Sequence, residues 1–526
     1  MNIINKNQPT NQRLQKPWII GILCFFILAL LNAPYLYNPP YWDEIIGLHN
    51  QALWLKNHQF NFIMLWHHGG NEGPNVYPFS LYPLLYGILY VLFTSQTVHH
   101  IGHFLGLLAI SCSFALSYSL IMRFSSNWLT AVLFSAAALC EPVMAGRITE
   151  SGFDGVLCFL VVLTVYYISR QHYWAVLGVI TLSFFIKPTG FLLFCAVATF
   201  LIILPCLKEN DFAFKKRRSF ICAFIAMLLL AAGLYKVFSD SSGGVFLTWG
   251  GYFNNFYQFY RLIPMSGILL LTVIVAGIFA AVKVAIPCIK QRKMPVFNSE
   301  LATLLFILIF ICGFWVAYMI FTISLPRYTA ITVFPMFVFL GIAIKRRTVA
   351  IPLAVILAVA GYLCWDNRFL PALPAGLSRS GDLLERNRGY LKDLDGNRRL
   401  CKFLEENYFN HTIVAKGPFL QMLTIPEFGY VEKPLPNVLS AVTNTPLYCP
   451  VKNLNPTTVP PDAFYIYSRN VCEYGVDDYC LAPFRGDTLI YIDGKPPAVN
   501  VIYMKSPARR LLTLKEFRQQ LEQAGN

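Results

Sequence analysis

The sequence predicts a mainly α, polytopic transmembrane helix bundle of about 11–13 helices, followed by a C-terminal extracytoplasmic α/β domain. Three observations carry this reading. The 526 residues are 56% hydrophobic and only 13% charged, with 43 Phe and 28 Tyr, and the mean hydropathy is +0.52. Apolar runs recur up to Trp365, many of them near the roughly 20 residues that cross a hydrocarbon core about 30 Å thick. From Asp366 onward the chain turns polar and proline-bearing. The expected domains are therefore 1–365 in the membrane, with 38–80 as its first outer loop, and 366–526 outside it. The net charge of +15 does not indicate nucleic acid, because the basic residues fall in short clusters between apolar runs, as in cytoplasmic loops.

The elements follow in order. Met1 to Lys16 is polar, and Trp18 to Tyr37 is the first span. It is too long for a signal-peptide core and ends in Pro34 and aromatics. The stretch Asn38 to Ser80 gathers Asp43, Glu44, Glu72, His49, His58, His67 and His68 behind an aromatic, proline-rich shoulder of Pro39, Pro40, Tyr41 and Trp42. Phe79 to Phe93 is apolar, short and interrupted by Pro83. Charge parity makes it either an interfacial helix, which leaves about 11 crossings, or one of a pair of crossings. Crossings at His103–Met122, Trp128–Ala145, Gly155–Ser169, Tyr173–Ile186, Pro188–Leu207, Ser219–Phe238, Pro264–Pro287, Leu301–Leu325, Tyr328–Ile344 and Thr348–Trp365 then keep every strong basic cluster inside, among them Lys215–Arg218 and Lys345–Arg347. If Phe79–Phe93 crossed alone, all of these clusters would move outside. The expected topology places the N-terminus in the cytoplasm and the C-terminal domain outside a bacterial inner (plasma) membrane.

That parity also brings a second set of polar residues to the outer face. Arg147, Glu150 and Asp154 lie in EPVMAGRITESGFD, Lys187 in a KPTG turn and Arg327 after Pro326. Ionisable groups at membrane depth are expensive and commonly face a cavity. Carboxylates there can take a proton from an acceptor hydroxyl or hold a divalent cation; the sequence establishes no cofactor beyond that option. Arg and Lys at the same level can bind a lipid phosphate and neutralise it as a leaving group. Asp43 or Glu44 is then the general base, and Arg147, Lys187 and Arg327 are candidates for the phosphate clamp.

The order of these features resembles the GT-C glycosyltransferases, in the branch of protein O-mannosyltransferase-like and lipid A aminoarabinose transferase-like enzymes. The likeness rests on a first span, an outer loop opening with PYWDE, a second outer loop with Arg147 and Asp154, and the late PRYTAITVFPMFVFLGI element with Arg327, Tyr328 and Pro335. It covers roughly residues 18 to 345. It implies a sugar transfer from a polyprenyl-phosphate donor to a lipid, glycan or protein acceptor, with inversion at the anomeric carbon. The implied catalytic residues are Asp43 and Glu44; Asp154 is the next candidate among the outer-face acids. Taken with the chemistry of the outer-face residues, the candidate substrate contacts are Arg147, Glu150, Lys187, Arg327, Tyr328, Glu72 and His67. Relatives often carry Lys-Pro-Pro late in the first loop, where this chain has Asn71, Glu72, Gly73 and Pro74. The other functional class open to the sequence is a transporter or flippase of a lipid-linked or anionic solute. Transporters tend to show internal repeats and midplane charge, whereas here the charges gather at one face without a repeat.

In the last segment, helix-like pieces at Gly396–Tyr408 and Thr513–Gln523 alternate with strand-like pieces at Thr412–Ala415, Ala463–Tyr467, Thr488–Ile492 and Val499–Met504, the pattern of a small α/β domain. Of 14 Cys, those in or beside spans read as packing residues. Cys401, Cys449, Cys472 and Cys480 lie in the outer segment. Cys472 with Cys480 is the expected disulfide, and Cys401 with Cys449 the second.

Overall fold

The computed structural model describes residues 17–40, 44–61, 81–148, 151–187, 189–206, 264–291, 298–320, 329–365, 388–415, 418–440, 452–453, 459–468, 488–495 and 498–504, with a few positions between 221 and 228. Its helices in chain order are α1 (Pro17–Leu31), α2 (Asn50–Asn57), α3 (Leu81–Leu92), α4 (Ser95–Ser125), α5 (Trp128–Cys140), α6 (Pro142–Ala145), α7 (Phe153–Ser169) and α8 (Tyr173–Ile186). They continue as α9 (Gly190–Cys206), α10 (Pro264–Gln291), α11 (Ser299–Ile320), α12 (Ala330–Ala343), α13 (Arg347–Trp365), α14 (Arg388–Tyr408) and α15 (Pro418–Thr424). The chain divides into two compact units, Met1–Leu36 with His103–Glu385 and Tyr37–Gly102 with Arg386–Asn526.

The first unit is a helix bundle centred on α12. Every residue from Ala330 to Ile342 is buried, so this helix is apolar all round and meets only protein. At 14 residues it is about 21 Å long, shorter than a hydrocarbon core. A helix enclosed by others need not match the bilayer, because its backbone polar groups are satisfied internally. Glycines permit the closest contacts. A Cβ at Gly361 of α13 would lie 2.6 Å from the Cys140 carbonyl oxygen, and one at Gly341 of α12 would lie 2.8 Å from the Ile121 side chain. The outer helices carry continuous apolar faces. On α10, Ile268, Leu271, Ile278 and Phe279 are each more than half exposed, and on α1 so are Trp18, Leu23, Phe26 and Leu30. Stripes of this length have no place in water; they are surfaces for lipid, and the chain is an integral membrane protein.

The two ends of the bundle differ in chemistry. At one end, the Lys345 ammonium pairs with Glu300 at 2.6 Å and donates to the Phe124 carbonyl at 3.1 Å. Arg170 lies over the Tyr166 ring at 5.3 Å, close enough for its charge to act on Arg123. The basic residues that the sequence assigns to three inner loops therefore share one end. The segment between α5 and α7 and the close of α8 come together elsewhere, through Asp154 and Lys187.

One expected span is broken. Trp128–Ala145 is not a single helix: α5 stops at Cys140, Glu141 is extended with φ −64 and ψ 131, and α6 restarts at Pro142. The ring of Pro142 disfavours helical backbone at the preceding residue. The Glu141 carboxylate then caps the new helix by accepting the Met144 amide at 3.0 Å.

The second unit combines the stretch after the first helix with the C-terminal region. A π-helical turn, Glu44–His49, runs directly into α2. Helix α2 packs on α3 where Gly87 leaves room for the Phe60 ring and the Ala52 carbonyl, at 2.9 and 3.1 Å from a built Cβ. Helix α3 has 12 residues, about 18 Å, and belongs to this unit rather than to the bundle.

The C-terminal part is built on a six-stranded sheet of β1 (Ile413–Ala415), β2 (Val438–Ser440), β3 (Lys452–Asn453), β4 (Phe464–Ser468), β5 (Thr488–Lys495) and β6 (Ala498–Met504), in the order β3-β2-β1-β4-β6-β5. Its first four strands are parallel, and β6 runs antiparallel between β4 and β5. Helix α14 covers it with an inner stripe of Leu394, Asn397, Leu400, Cys401 and Leu404, spaced at three and four residues as a packed helix face requires. The four strands read from sequence are present within a residue or two, except that β5 runs on to Lys495. The short β2 and β3 were not read. The helix read at Gly396 begins at Arg388, and the one expected at Thr513–Gln523 lies outside the described residues. One disulfide expectation is overturned: Cys401 is a free thiol, fully buried on the inner stripe of α14. Burial, reinforced by nearby Glu405, pushes it well above the usual thiol range. Cys449, Cys472 and Cys480 lie outside the described residues.

Candidate active site

Each unit places one group of ionisable residues. In the second unit the π-helical turn begins at Glu44, the last residue of the PYWDE motif. Such turns are rare and concentrate at functional sites. Glu44 is 3% exposed. Around the turn lies a polar cluster that sequence reasoning missed. Tyr82, Tyr86 and Tyr90 form one stripe of α3 at i, i+4 and i+8, and all three are buried. The His49 ring meets the Tyr86 ring edge-on at 5.2 Å. His49 Nδ1 is 2.6 Å from the Tyr90 hydroxyl, and that hydroxyl is 3.1 Å from His99 Nε2 at the start of α4. Burial, then the neighbouring Tyr82, then the charge of Glu44, push the Tyr86 hydroxyl well above its ordinary range. It therefore stays a proton donor at any physiological pH. Burial and the charge of Glu427 push the Tyr90 hydroxyl in the same direction. The four-residue repeat of tyrosines in LYPLLYGILYVL, with His99 and His103 four apart in the next helix, was the signal available in the sequence.

The C-terminal segment supports this turn from within the same unit. The buried Tyr430 hydroxyl donates to the Pro40 carbonyl at 3.0 Å, three residues before Asp43. Gly429 adopts φ 79 and sits over Pro39, with a built Cβ 3.9 Å from the proline ring. Only glycine takes that backbone conformation without strain. Helix α15 packs on the π-helical turn as well. On α15 the Gln421 amide is fully buried, and both of its polar atoms lack a hydrogen-bond partner, as do both of Asn50 at the start of α2.

In the first unit the break after α5 and the ends of α7 and α8 bury two acids and two bases. Glu141 is fully buried, Arg147 is 1% exposed, Asp154 4% and Lys187 4%. The Lys187 ammonium donates to Asp154 Oδ1 at 2.6 Å. Asp154 falls in the first turn of α7 and Lys187 immediately follows α8, so the pair closes two antiparallel helices at one end. Sequence reasoning assigned Arg147, Asp154 and Lys187 to the site and gave Glu141 no role. Its position before a proline, three residues ahead of the amide it caps, marks a helix start.

Of the residues given catalytic or substrate-binding roles from sequence, Glu44, Arg147, Asp154 and Lys187 are described and all are buried. Asp43, His67, Glu72, Glu150, Arg327 and Tyr328 lie outside the described residues.

No family model matches the chain, and no curated protein matches it. Among solved structures it is similar to ArnT from Cupriavidus metallidurans. The apo state gives a TM-score of 0.48 at 12% identity, covering 92% of this chain and 97% of the other. ArnT bound to undecaprenyl phosphate gives 0.47 at 12% identity, covering 95% and 99%.

Proposed function

We propose that this chain is a membrane glycosyltransferase of the GT-C kind. It takes a sugar from a polyprenyl-phosphate donor and passes it to a lipid, glycan or protein acceptor on the extracytoplasmic face of a bacterial inner membrane. The observation that carries this reading is Glu44. A carboxylate in the stretch that follows the first apolar helix is buried in a π-helical turn among hydroxyl and imidazole groups, where burial and hydrogen bonding can tune acid–base chemistry.

In this mechanism Asp43 accepts the proton of the acceptor hydroxyl as its oxygen attacks the anomeric carbon. The bond from that carbon to the phosphate oxygen breaks, the polyprenyl phosphate leaves with both electrons, and the configuration inverts. Glu44 holds the turn, or a divalent cation beside it. Arg147 and Arg327 neutralise the leaving phosphate. Lys187, held by Asp154, completes the positive end of the clamp as part of an ion pair. Glu72, His67, Glu150 and Tyr328 contact the substrates.

The test is a deletion strain, with mass spectrometry of its envelope lipids and glycans. The expected result is loss of one sugar from one acceptor, restored by the wild-type chain and not by Asp43→Asn. A strain that keeps every sugar modification but fails to move a lipid-linked solute across the membrane would refute the transferase reading in favour of transport.

A further inference from the structure

We propose that His49, Tyr90 and His99 form a proton relay that drains the proton collected by the Asp43–Glu44 pair, an inference that rests on the transferase reading above. Three elements bring the relay together: the π-helical turn, α3 and the first turns of α4. One hydroxyl joins two imidazoles, at 2.6 Å to His49 Nδ1 and 3.1 Å to His99 Nε2, and the two rings lie edge-on at 5.0 Å. A hydroxyl carries a single proton, so it donates to one ring and accepts N–H from the other. That arrangement can pass a proton in either direction by shifting each hydrogen bond once.

The relay starts beside Glu44 and ends nearer the surface. His49 lies five residues after Glu44 on the same turn, and Tyr86 is in ring contact with His49 while feeling the charge of Glu44. Exposure rises along the chain, from 0% at His49 to 3% at Tyr90 and 6% at His99. The turn just ahead of His99 is exposed at Thr94 and Gln96. Among the described residues, the other titratable groups facing the relay are Glu44 on the turn, Tyr82 and Tyr86 on α3, and Glu427 beside Tyr90.

The transfer balances. The protonated carboxyl gives its proton to His49 at Nε2. His49 releases the Nδ1 proton to the Tyr90 oxygen, and Tyr90 gives its own hydroxyl proton to His99 Nε2. The carboxylate is regenerated, His49 and Tyr90 return to neutral, and His99 holds the proton until water takes it.

The test uses the full-length protein in native-lipid nanodiscs, with the polyprenyl-phosphate-sugar fraction and the acceptor-containing envelope fraction of the source cells as substrates. Released polyprenyl phosphate is measured by mass spectrometry. Tyr90→Phe keeps the ring and removes the bridge, and His99→Ala leaves a space that imidazole can enter. The expected result is a fall in kcat of about 10-fold or more for both, donor KM within twofold of wild type, and recovery of His99→Ala by added imidazole but not by sodium chloride. The acid limb of the pH–rate profile should also move in Tyr90→Phe, because the proton then leaves by another route. If both variants turn over within twofold of wild type while Asp43→Asn is inactive, the relay is wrong and the transferase reading stands. Equal loss with and without imidazole and an unmoved pH profile make the cluster structural and also overturn the relay. No turnover by wild type places the failure in the transferase reading itself.

Discussion

Replacing Lys187 by Met is the most informative change in the bundle. The Lys187 ammonium and the Asp154 carboxylate are 2.6 Å apart, with side chains 5% and 6% exposed. Unit charges about 4 Å apart attract by roughly 4 kcal/mol at an effective dielectric constant near 20. Removing one partner of a buried pair typically costs about 3–5 kcal/mol, since the other charge stays buried without compensation. Lys187→Met should therefore destabilise the folded protein by about 3–5 kcal/mol, and Asp154→Leu by a similar amount. The double variant exchanges an ion pair for two apolar chains, and should recover to within about 1 kcal/mol of wild type. The assay is a double-mutant cycle on unfolding in mixed micelles, followed by tryptophan fluorescence. A coupling below about 0.5 kcal/mol would refute the reasoning, because pairs in contact usually couple by more than that. A Lys187→Met protein of normal stability that binds polyprenyl phosphate poorly would leave Lys187 its place in the phosphate clamp and remove the structural role of its ion pair.

Four further outcomes are expected. Asp43→Asn should insert, fold and bind a polyprenyl-phosphate lipid, yet transfer sugar about 10²–10⁴-fold more slowly; near wild-type transfer would remove Asp43 from the site. Tyr430→Phe should cost about 1 kcal/mol of stability through the lost bond to Pro40 and lower turnover more than donor binding, while unchanged turnover would separate the C-terminal segment from the PYWDE turn. In the unreduced protein, Cys401 should resist a thiol reagent when folded and label fully when denatured, while Cys472 stays blocked as a disulfide with Cys480; free label at Cys472 in the denatured sample would exclude that pairing. A reporter active only in the cytoplasm should be silent when fused after Asn526 and active when fused ahead of Met1, and a signal at the C-terminal position would invert the topology.

Much of the fold was legible from hydropathy, because a membrane span satisfies its own backbone hydrogen bonds and announces itself as a continuous apolar run. The boundaries read for Tyr173–Ile186 coincide with α8, and those for Tyr328–Ile344 lie within two residues of α12. The strands at Ile413, Phe464, Thr488 and Ala498 were legible for a related reason, since β-branched and aromatic residues bounded by turn formers read as strands. β2 and β3, with three and two residues, are too short for any periodicity to register. The break at Glu141 was written in the following proline, but a hydropathy run passes over a proline without a mark.

By itself the sequence determined that the chain is a membrane protein with acids at two loops, because residue chemistry and run length are local properties. Only the tertiary structure decided which of those residues meet. It joined Asp154 to Lys187 across 33 positions, His49 to Tyr90 across 41, and Tyr430 to Pro40 across 390. Nothing in the local pattern of a lysine or a tyrosine names its partner. That choice is made when a helix end is buried and its polar groups must be satisfied by whatever the packing of distant segments brings within hydrogen-bonding distance.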